Sequence, residues 1–278
     1  MQKIGILHPG QMGISVAATA QNSGHTVYWA SDGRSDQTYT RAEEFNLIDT
    51  GSLEALCDTC DAIVVVCPPH AAEGLADRVI ACSYRGLYLD ANAISPQRTQ
   101  RIGDAMLSAG ITFVDGGIIG GPAWEPGKTW LYLSGEATEE AAALFASGPL
   151  ETAVIGKDIG KASALKMCYA AYTKGSTALL SAILATAEEL GVRGDLEGQW
   201  SRDWDGFVEQ TRNRVRRVTA KAWRFTGEMD EISTTFEGAG LPGGFHAAAG
   251  EIYLRMTGFK DAESVPELEN VFKTLVRK

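Results

Sequence analysis

A lysine sits inside the alanine-rich run GKASALKMCYAAYTKG, residues 160–175. Lys166 is flanked by Leu165 and Met167, with Tyr169 three residues on and Thr173 seven on. At helical spacing all three share one face. Two roles fit such a lysine equally. Partly buried, its ammonium would lose solvation and release its proton more readily, which suits general acid–base work. Alternatively, its stem lies along apolar surface and its head snorkels to water. A second reactive pattern is GILHPGQMG, residues 5–13, where an apolar run meets a turn and then a helix. The dinucleotide fingerprint G-x-G-x-x-G would place glycines at 8, 10 and 13, but here they are His8, Gly10 and Gly13. Gly10 still lets a pyrophosphate approach the backbone, and Gly13 still lets helix pack on strand. The helix N-terminus still offers N–H groups to an anion. His8-Pro9 is expected to replace the missing glycine's bend, with Pro9 fixing its own φ and holding His8 extended. His8, Pro9, Gly10, Gln11 and Met12 are therefore candidate nucleotide contacts.

The cofactor's identity should be written just past the second strand, in WASDGRS, residues 29–35. An acid at that strand end holds the ribose 2′-OH of NAD, whereas an arginine suits a 2′-phosphate. Ser31 comes first, and Arg34 and Ser35 follow within reach, so the three together suit phosphate. Asp32 argues the other way. The balance favours NADP over NAD. CPPH, residues 67–70, ends another apolar run, where cofactor loops sit in parallel sheets, and it adds Cys67, Pro68 and Pro69. Cys57 and Cys60 form a C-x-x-C, but no second ligand pair follows, so no metal site is expected. Five cysteines, an odd number without a secretory signal, read as reduced thiols.

These residues need elements to hold them. Residues 4–7, 25–30, 62–67, 86–91 and 111–116 are apolar, strand-like runs separated by helical segments, the pattern of βαβ crossovers and a parallel sheet. Residues 130–135 and 152–156 should add edge strands. The character then changes, and 161–191 reads as one long helix closed by Gly191. The remainder reads as helix broken at Gly227, at 238–244 and at Gly258. The expected architecture is an α/β Rossmann domain over 1–156 and an all-α domain over 157–278, linked by that long helix. A net charge of −10 argues against nucleic acid or an anionic membrane as partner. No apolar run approaches the roughly 20 residues that span a bilayer, and the start does not read as a signal peptide, so a cytoplasmic enzyme is expected.

Four motifs in order resemble the β-hydroxyacid dehydrogenase superfamily, which includes 6-phosphogluconate dehydrogenase. HPGQMG (8–13) is similar to its G-L-G-x-M-G, and LDANAISP (89–96) to its V-D-x-S-T-I-S-P. VDGGIIGGPAWEPGKTWLYLSG (114–135) is similar to D-A-P-V-S-G-G with its trailing glycines. GKASALKMCYAAYTKG is similar to the helix G-x-x-x-x-x-K-x-x-N-N. The match extends over essentially the whole chain and falls on the 6-phosphogluconate-dehydrogenase-like, NAD-binding branch with its own C-terminal helical domain. The resemblance implies an interdomain cleft for a small-molecule substrate, a homodimer built by the helical domains, and Lys166 as acid/base. By the same match Asn92 lies near the nicotinamide or the substrate oxygen, and Gly120 and Gly121 let the loop backbone approach substrate. Tyr169 is placed to donate a hydrogen bond. Thr173, Trp124, Met229 and His246 are further candidates for the substrate cleft.

The departures from the family pattern are informative. Asn92–Ala93 stands for its Ser–Thr, Ile119 for its loop serine, and Tyr169–Ala170 for its two asparagines. Three polar positions have become apolar, so a site of this kind would hold a small hydroxyacid poorly. A larger, less polar substrate than 6-phosphogluconate is expected. Hydride transfer at a carbonyl or alcohol carbon is the leading reading. Imine reduction, as in the imine reductases of the same superfamily, is the alternative, and a nucleotide-sensing protein without catalysis is a third.

Overall fold

The apolar runs of the first half do form one sheet. A computed structural model describes residues 1–260 and 262–276. The sheet has eight strands: β1 (Lys3–Leu7), β2 (Thr26–Trp29), β3 (Ile48–Asp49), β4 (Ala62–Val65), β5 (Leu87–Asp90), β6 (Thr112–Ile119), β7 (Thr129–Ser134) and β8 (Leu150–Gly156). Their order is β3-β2-β1-β4-β5-β6-β7-β8. β1 to β6 run parallel, β7 turns back against β6, and β8 pairs parallel to β7. The reversal of strand order between β1 and β4 is the switch point at which such sheets bind ligands. Helices cover the faces: α1 (Gln11–Asn22), α2 (Asp36–Glu44), α3 (Leu53–Thr59), α4 (Ala72–Ala81), α5 (Pro96–Ser108) and α6 (Thr138–Ala143). Coverage on both faces is why β4 and β5 are buried at every residue and read as continuous apolar runs. Ile4, Ile6 and Val64 pack on one face with α1, and Leu7, Ile63 and Val65 pack on the other with α3 and α4.

The later helices are α7 (Lys161–Ala170), α8 (Ser176–Glu189), α9 (Arg193–Asp203), α10 (Phe207–Val218), α11 (Ala222–Gly238), α12 (Gly244–Arg255) and α13 (Leu268–Val276). The chain divides into two compact units, Met1–Met167 and Cys168–Lys278. The division falls inside α7 rather than at residue 156, because the first turns of α7 are bonded to β6 and β7. The expected long helix is present without a break over 161–189, but it is not uniform: Ala171–Gly175 forms a wider, π-type turn between α7 and α8. Arg214 holds that turn, donating to the Thr173 carbonyl at 2.5 Å, to Ser176 Oγ at 2.6 Å and to Thr177 Oγ1 at 2.6 Å. Gly227 does not break a helix; it lies within α11, and the interruption before α11 is a tighter turn at Thr219–Lys221. Among the described residues no helix is long and apolar enough to cross a membrane.

β6 runs on past the expected residue 116 to Ile119, and this extension positions the rest of the site. A Cβ on Gly117 would lie 2.5 Å from the Ala162 carbonyl oxygen and 3.2 Å from Lys166 Cβ. α7 therefore rests directly on the β6 backbone, at a distance that only glycine permits. Gly117→Ala is expected to push α7 off the sheet. The cost should be about 1–3 kcal/mol, as for other overpacked contacts, seen as a lower melting temperature in scanning calorimetry.

Candidate active site

The strand register gathers the candidate residues. Leu7, Val65, Asp90 and Asp115 are partners in one row across β1, β4, β5 and β6. Two residues further along each chain come Pro9, Cys67, Asn92 and Gly117. The nucleotide turn and the seat of Lys166 thus face the same edge of the sheet, three strand spacings or about 14 Å apart.

At the β1 end, His8 departs from the expectation. It is not extended; its φ is 68°, the left-handed conformation that a glycine would adopt there. The turn has kept its glycine-type geometry and imposes it on histidine. Two contacts demand it. The Gly10 N–H donates to the His8 carbonyl at 2.7 Å, and a Cβ on Gly13 would fall 2.4 Å from that same oxygen. Arg41 on α2 also donates to the Pro9 carbonyl at 3.2 Å. No side chain caps the first turn of α1, and nothing lies nearer than 4.0 Å to where a Gly10 Cβ would stand. Gln11 is exposed, while Met12 packs back against the core. A phosphate can therefore meet bare backbone at this helix N-terminus.

Beyond β2, Ser31 is buried and its carbonyl accepts from the Arg34 N–H at 3.0 Å and from the Tyr39 hydroxyl at 3.2 Å. Asp32 is exposed, and its N–H is spent on the Gly51 carbonyl at 2.9 Å. Arg34 is half-buried, with Nε buried and without a hydrogen-bond partner among the described residues, as is His8 Nδ1. Burial, with help from Arg34, pushes the His8 imidazole down to about 4, so it is neutral at physiological pH. Ser35 opens α2 and its hydroxyl bonds Thr38 Oγ1 at 3.1 Å.

At the middle of the row, Asn92 Oδ1 accepts from the Cys67 N–H at 2.6 Å, and Asn92 Nδ2 is buried without a partner among the described residues. The Asn92 N–H donates to Asp90 Oδ1 at 3.0 Å. Burial pushes the Asp90 carboxyl up to about 7, with the neighbouring Asp115 acting in the same direction. It pushes the Cys67 thiol up to about 12, so Cys67 is an inert packing group. Pro68 is exposed, while the Pro69 carbonyl accepts from Arg98 at 3.1 Å. Cys57 and Cys60 are buried with their thiols pushed up, and no metal-holding cluster occurs among the described residues.

At the β6 end, Asp115 is fully buried and holds the start of α7. Its carboxylate accepts from Ser163 Oγ at 2.7 Å, from the Ser163 N–H at 3.1 Å, from the Gly160 N–H at 2.9 Å and from Ser134 Oγ at 3.0 Å. Ser134 Oγ in turn accepts from the Ala162 N–H at 3.1 Å, and Ser163 Oγ lies 2.8 Å from Thr99 Oγ1 of α5. Lys166 follows Ser163 by one turn and is half-buried. Ile119 ends β6 opposite Trp130 and is half-buried. Gly120 has a φ of 128° and sits so close to Lys128 and Thr129 that no Cβ fits, while the Gly121 carbonyl accepts from Thr129 Oγ1 at 2.8 Å. Trp124 does not join this group. It stacks on Phe45, ring centroids 5.3 Å apart, in a loop that Ser15 Oγ pins through the Ala123 N–H at 2.9 Å.

The second unit places its candidates differently. Tyr169 is exposed on α7. Thr173 lies in the π-type turn, so the seven-residue spacing that would stack it above Lys166 on an unbroken helix does not hold, and its hydroxyl donates to the Tyr169 carbonyl at 3.1 Å. His246 is buried against Phe236 and beside Gly175 of the same turn, with Nδ1 lacking a partner among the described residues. Met229 is fully buried where α11 meets Gly250 of α12 and is a packing residue, not the lining residue expected of it. Sequence reasoning missed Asp115, Gly117 and Arg41. An acid followed by two glycines, paired with a serine at the start of a later helix, was the available sign of the first two.

Comparison with known proteins agrees with the fold. Residues 3–145 match the family described as the NAD binding domain of 6-phosphogluconate dehydrogenase, and residues 187–256 match a domain of unknown function. A conserved protein of unknown function, MTH1747, described as structurally similar to 3-hydroxyacid dehydrogenases, is 27% identical with a TM-score of 0.68, over 92% of this chain and 97% of that one. The 3-hydroxyisobutyrate dehydrogenase of Mycobacterium tuberculosis, solved with L-serine, gives a TM-score of 0.72 at 16% identity over the full length of both chains. An imine reductase of Streptomyces aurantiacus gives 0.56 at 16% identity, also over the full length of both.

The left-handed turn at residue 8 yields a direct stability test. Asparagine tolerates that conformation and β-branched residues do not. His8→Asn should leave the melting temperature close to that of the parent, whereas His8→Val should lower stability by about 1–2 kcal/mol. Thermal unfolding of the two variants side by side checks this.

Proposed function

The chain belongs to the family of the 6-phosphogluconate dehydrogenase NAD-binding domain, and from that premise we propose an NADP-dependent oxidoreductase acting at a carbonyl or alcohol carbon. The observation that carries the reading is the seat of Lys166. A buried carboxylate and two serines hold the start of its helix against β6, and the lysine stands over Gly117, in the same row as Asn92 and the nucleotide turn. The residues present fit the nucleotide: bare amides and open space at Gly10, and Asn92 Nδ2, His8 Nδ1 and Arg34 Nε without a hydrogen-bond partner among the described residues.

When bound, the nicotinamide supplies or accepts the hydride. The chain's own residues do the rest. The Gly10–Met12 backbone holds the pyrophosphate. Ser31, Arg34 and Ser35 hold the 2′-phosphate. Asn92, oriented by the Cys67 N–H, offers Nδ2 to the nicotinamide amide or the substrate oxygen. Lys166 Nζ gives a proton to the carbonyl oxygen, or takes one from the alcohol in reverse. Tyr169, on the same helix as Lys166, steadies the same oxygen with its hydroxyl, and Gly120 and Gly121 bring the loop backbone to the substrate. Tyr169, Tyr172 and Leu179 are exposed on α7, the π-type turn and α8, a surface suited to homodimer formation. The enzyme works as a cytoplasmic homodimer.

Ala93, Ile119 and Ala170 stand where polar groups would hold a hydroxyacid, which favours a bulkier, less polar substrate. They also support a second reading, reduction of a cyclic or bulky C=N bond.

Both readings meet in one assay. NADPH absorbance is followed against aldehydes and β-keto acids and, separately, against cyclic imines. Carbonyl turnover should fall about 10²–10⁴-fold in Lys166→Ala, the usual contribution of a general acid, while the NADPH dissociation constant is unchanged. Turnover of imines alone, indifferent to Lys166→Ala, favours the second reading. Binding of NADPH with no turnover of either set, and no change in Lys166→Ala, favours a nucleotide-sensing protein.

A further inference from the structure

Gly117 marks the face of the sheet that carries Lys166, because a Cβ there would meet the Ala162 carbonyl and Lys166 Cβ. Side chains that point to that face beside Gly117 are neighbours of the lysine. In the antiparallel pair of β6 and β7, Gly117 lies opposite Tyr132 and Ile119 lies opposite Trp130. Directly opposed residues share a face, with Cβ atoms about 4.5–5.5 Å apart. Ile119, Trp130 and Tyr132 thus stand on the Lys166 face, and all four residues belong to the first compact unit. The helix is set the same way. The Ala162 N–H bonds Ser134 of β7, whereas Ser163 turns to Thr99 of α5. Lys166 lies four residues after Ala162 and shares its stripe, on the β7 flank of α7. The rings of Trp130 and Tyr132 stack, with centroids 6.2 Å apart and planes inclined at 24°. Trp130 is nonetheless 38% exposed, and Tyr132 and Ile119 are half-buried. Glu151 of β8 pairs with Trp130 and sets a carboxylate at the outer edge of this shelf.

We propose that Ile119, Trp130 and Tyr132 form the subsite for the substrate's side group, that its occupant is a flat, uncharged aryl ring, and that Trp130 is the residue that selects it. The inference rests on the oxidoreductase reading above and gives its substrate a class: aryl-bearing carbonyl compounds or imines rather than short aliphatic ones. The position continues the site, since Ile119 leads straight into Gly120 and Gly121 and stands beside the seat of Lys166. A flat ring gains offset stacking on the indole beyond the area it buries, which an alkyl chain does not. An anionic side group would meet the Glu151 carboxylate and is disfavoured. Open aromatic surface next to a reactive group is thereby covered when substrate binds.

The test reads selectivity. With NADPH, kcat/KM is measured for two matched pairs, hydrocinnamaldehyde against propanal and dihydroisoquinoline against pyrroline. The proteins are the parent, Trp130→Ala, Trp130→Phe and Trp223→Ala, with circular dichroism melts as the fold control. Trp223 is a comparably exposed tryptophan at the start of α11. The parent should favour the aryl-bearing member of a pair. Trp130→Ala should cut that preference about 10-fold, the order of one lost aromatic contact, while Trp130→Phe keeps most of it and Trp223→Ala all of it. A parent without preference, or a preference that survives Trp130→Ala, would overturn the subsite and leave the oxidoreductase reading standing. A changed oligomeric mass in Trp130→Ala with selectivity intact would assign the rings to a subunit contact and overturn the subsite as well. Turnover of none of the four compounds would count against the oxidoreductase reading, and binding alone then decides the subsite. Saturation-transfer NMR of hydrocinnamyl alcohol supports it if the ring signals seen with the parent vanish in Trp130→Ala, and overturns it if they persist or are absent from both.

Discussion

The buried carboxyl of Asp115 ties the sheet to the helix that carries Lys166. A buried carboxylate is costly unless it is fully hydrogen-bonded, and this one collects four donors from two segments, β7 and the start of α7. Two of the four are backbone N–H groups at the start of α7, where the helix dipole also favours negative charge. Burial nonetheless pushes the Asp115 carboxyl above its ordinary range. The anchor therefore needs all of its donors. Gly117 makes it effective by letting α7 lie on the β6 backbone itself. Together they determine where Lys166 stands before any packing in the helical unit is considered.

The other parts of the site follow from the same row of residues. Parallel strands give each strand end the same height on the sheet, so the turn after β1, the loop after β4, Asn92 after β5 and Gly117 within β6 form one line. The stations after β1 and β5 have features that bound nucleotide would complete: an uncapped helix start, and nitrogens without a hydrogen-bond partner among the described residues. Charge is distributed unevenly along the line. Buried carboxyls, Asp90 and Asp115, lie at the β5 and β6 end, and guanidiniums lie at the β1 and β2 end. A ligand that is anionic at one end and reacts at the other fits that polarity.

Much of this was legible in the sequence because periodicity and motif order are local properties. Continuous apolar runs announced strands buried on both faces, and the lysine helix and the glycine turn stood out by spacing. What escaped depended on contacts between distant segments. His8 reads as an extended residue before proline, but the packing of Gly13 against its carbonyl overrides that local preference. The π-type turn has no sequence signature in an alanine-rich run; Arg214, more than thirty residues later, sustains it. Met229 looks like a flexible lining residue, yet the small Gly250 opposite lets the helices close over it. Asp115 was visible within a motif, but its purpose required Ser134, Gly160 and Ser163, which only the fold brings together.

The central claim is that Asp115 holds α7, and hence Lys166, in place. Hydrogen–deuterium exchange of Asp115→Asn against the parent tests it most directly, because the Gly160, Ala162 and Ser163 amides are the ones the anchor protects. The account predicts that exchange across residues 160–166 speeds up in the variant while β1, β4 and β5 stay protected. Unchanged protection at the start of α7, with Asp115 neutralised and the sheet intact, would contradict it.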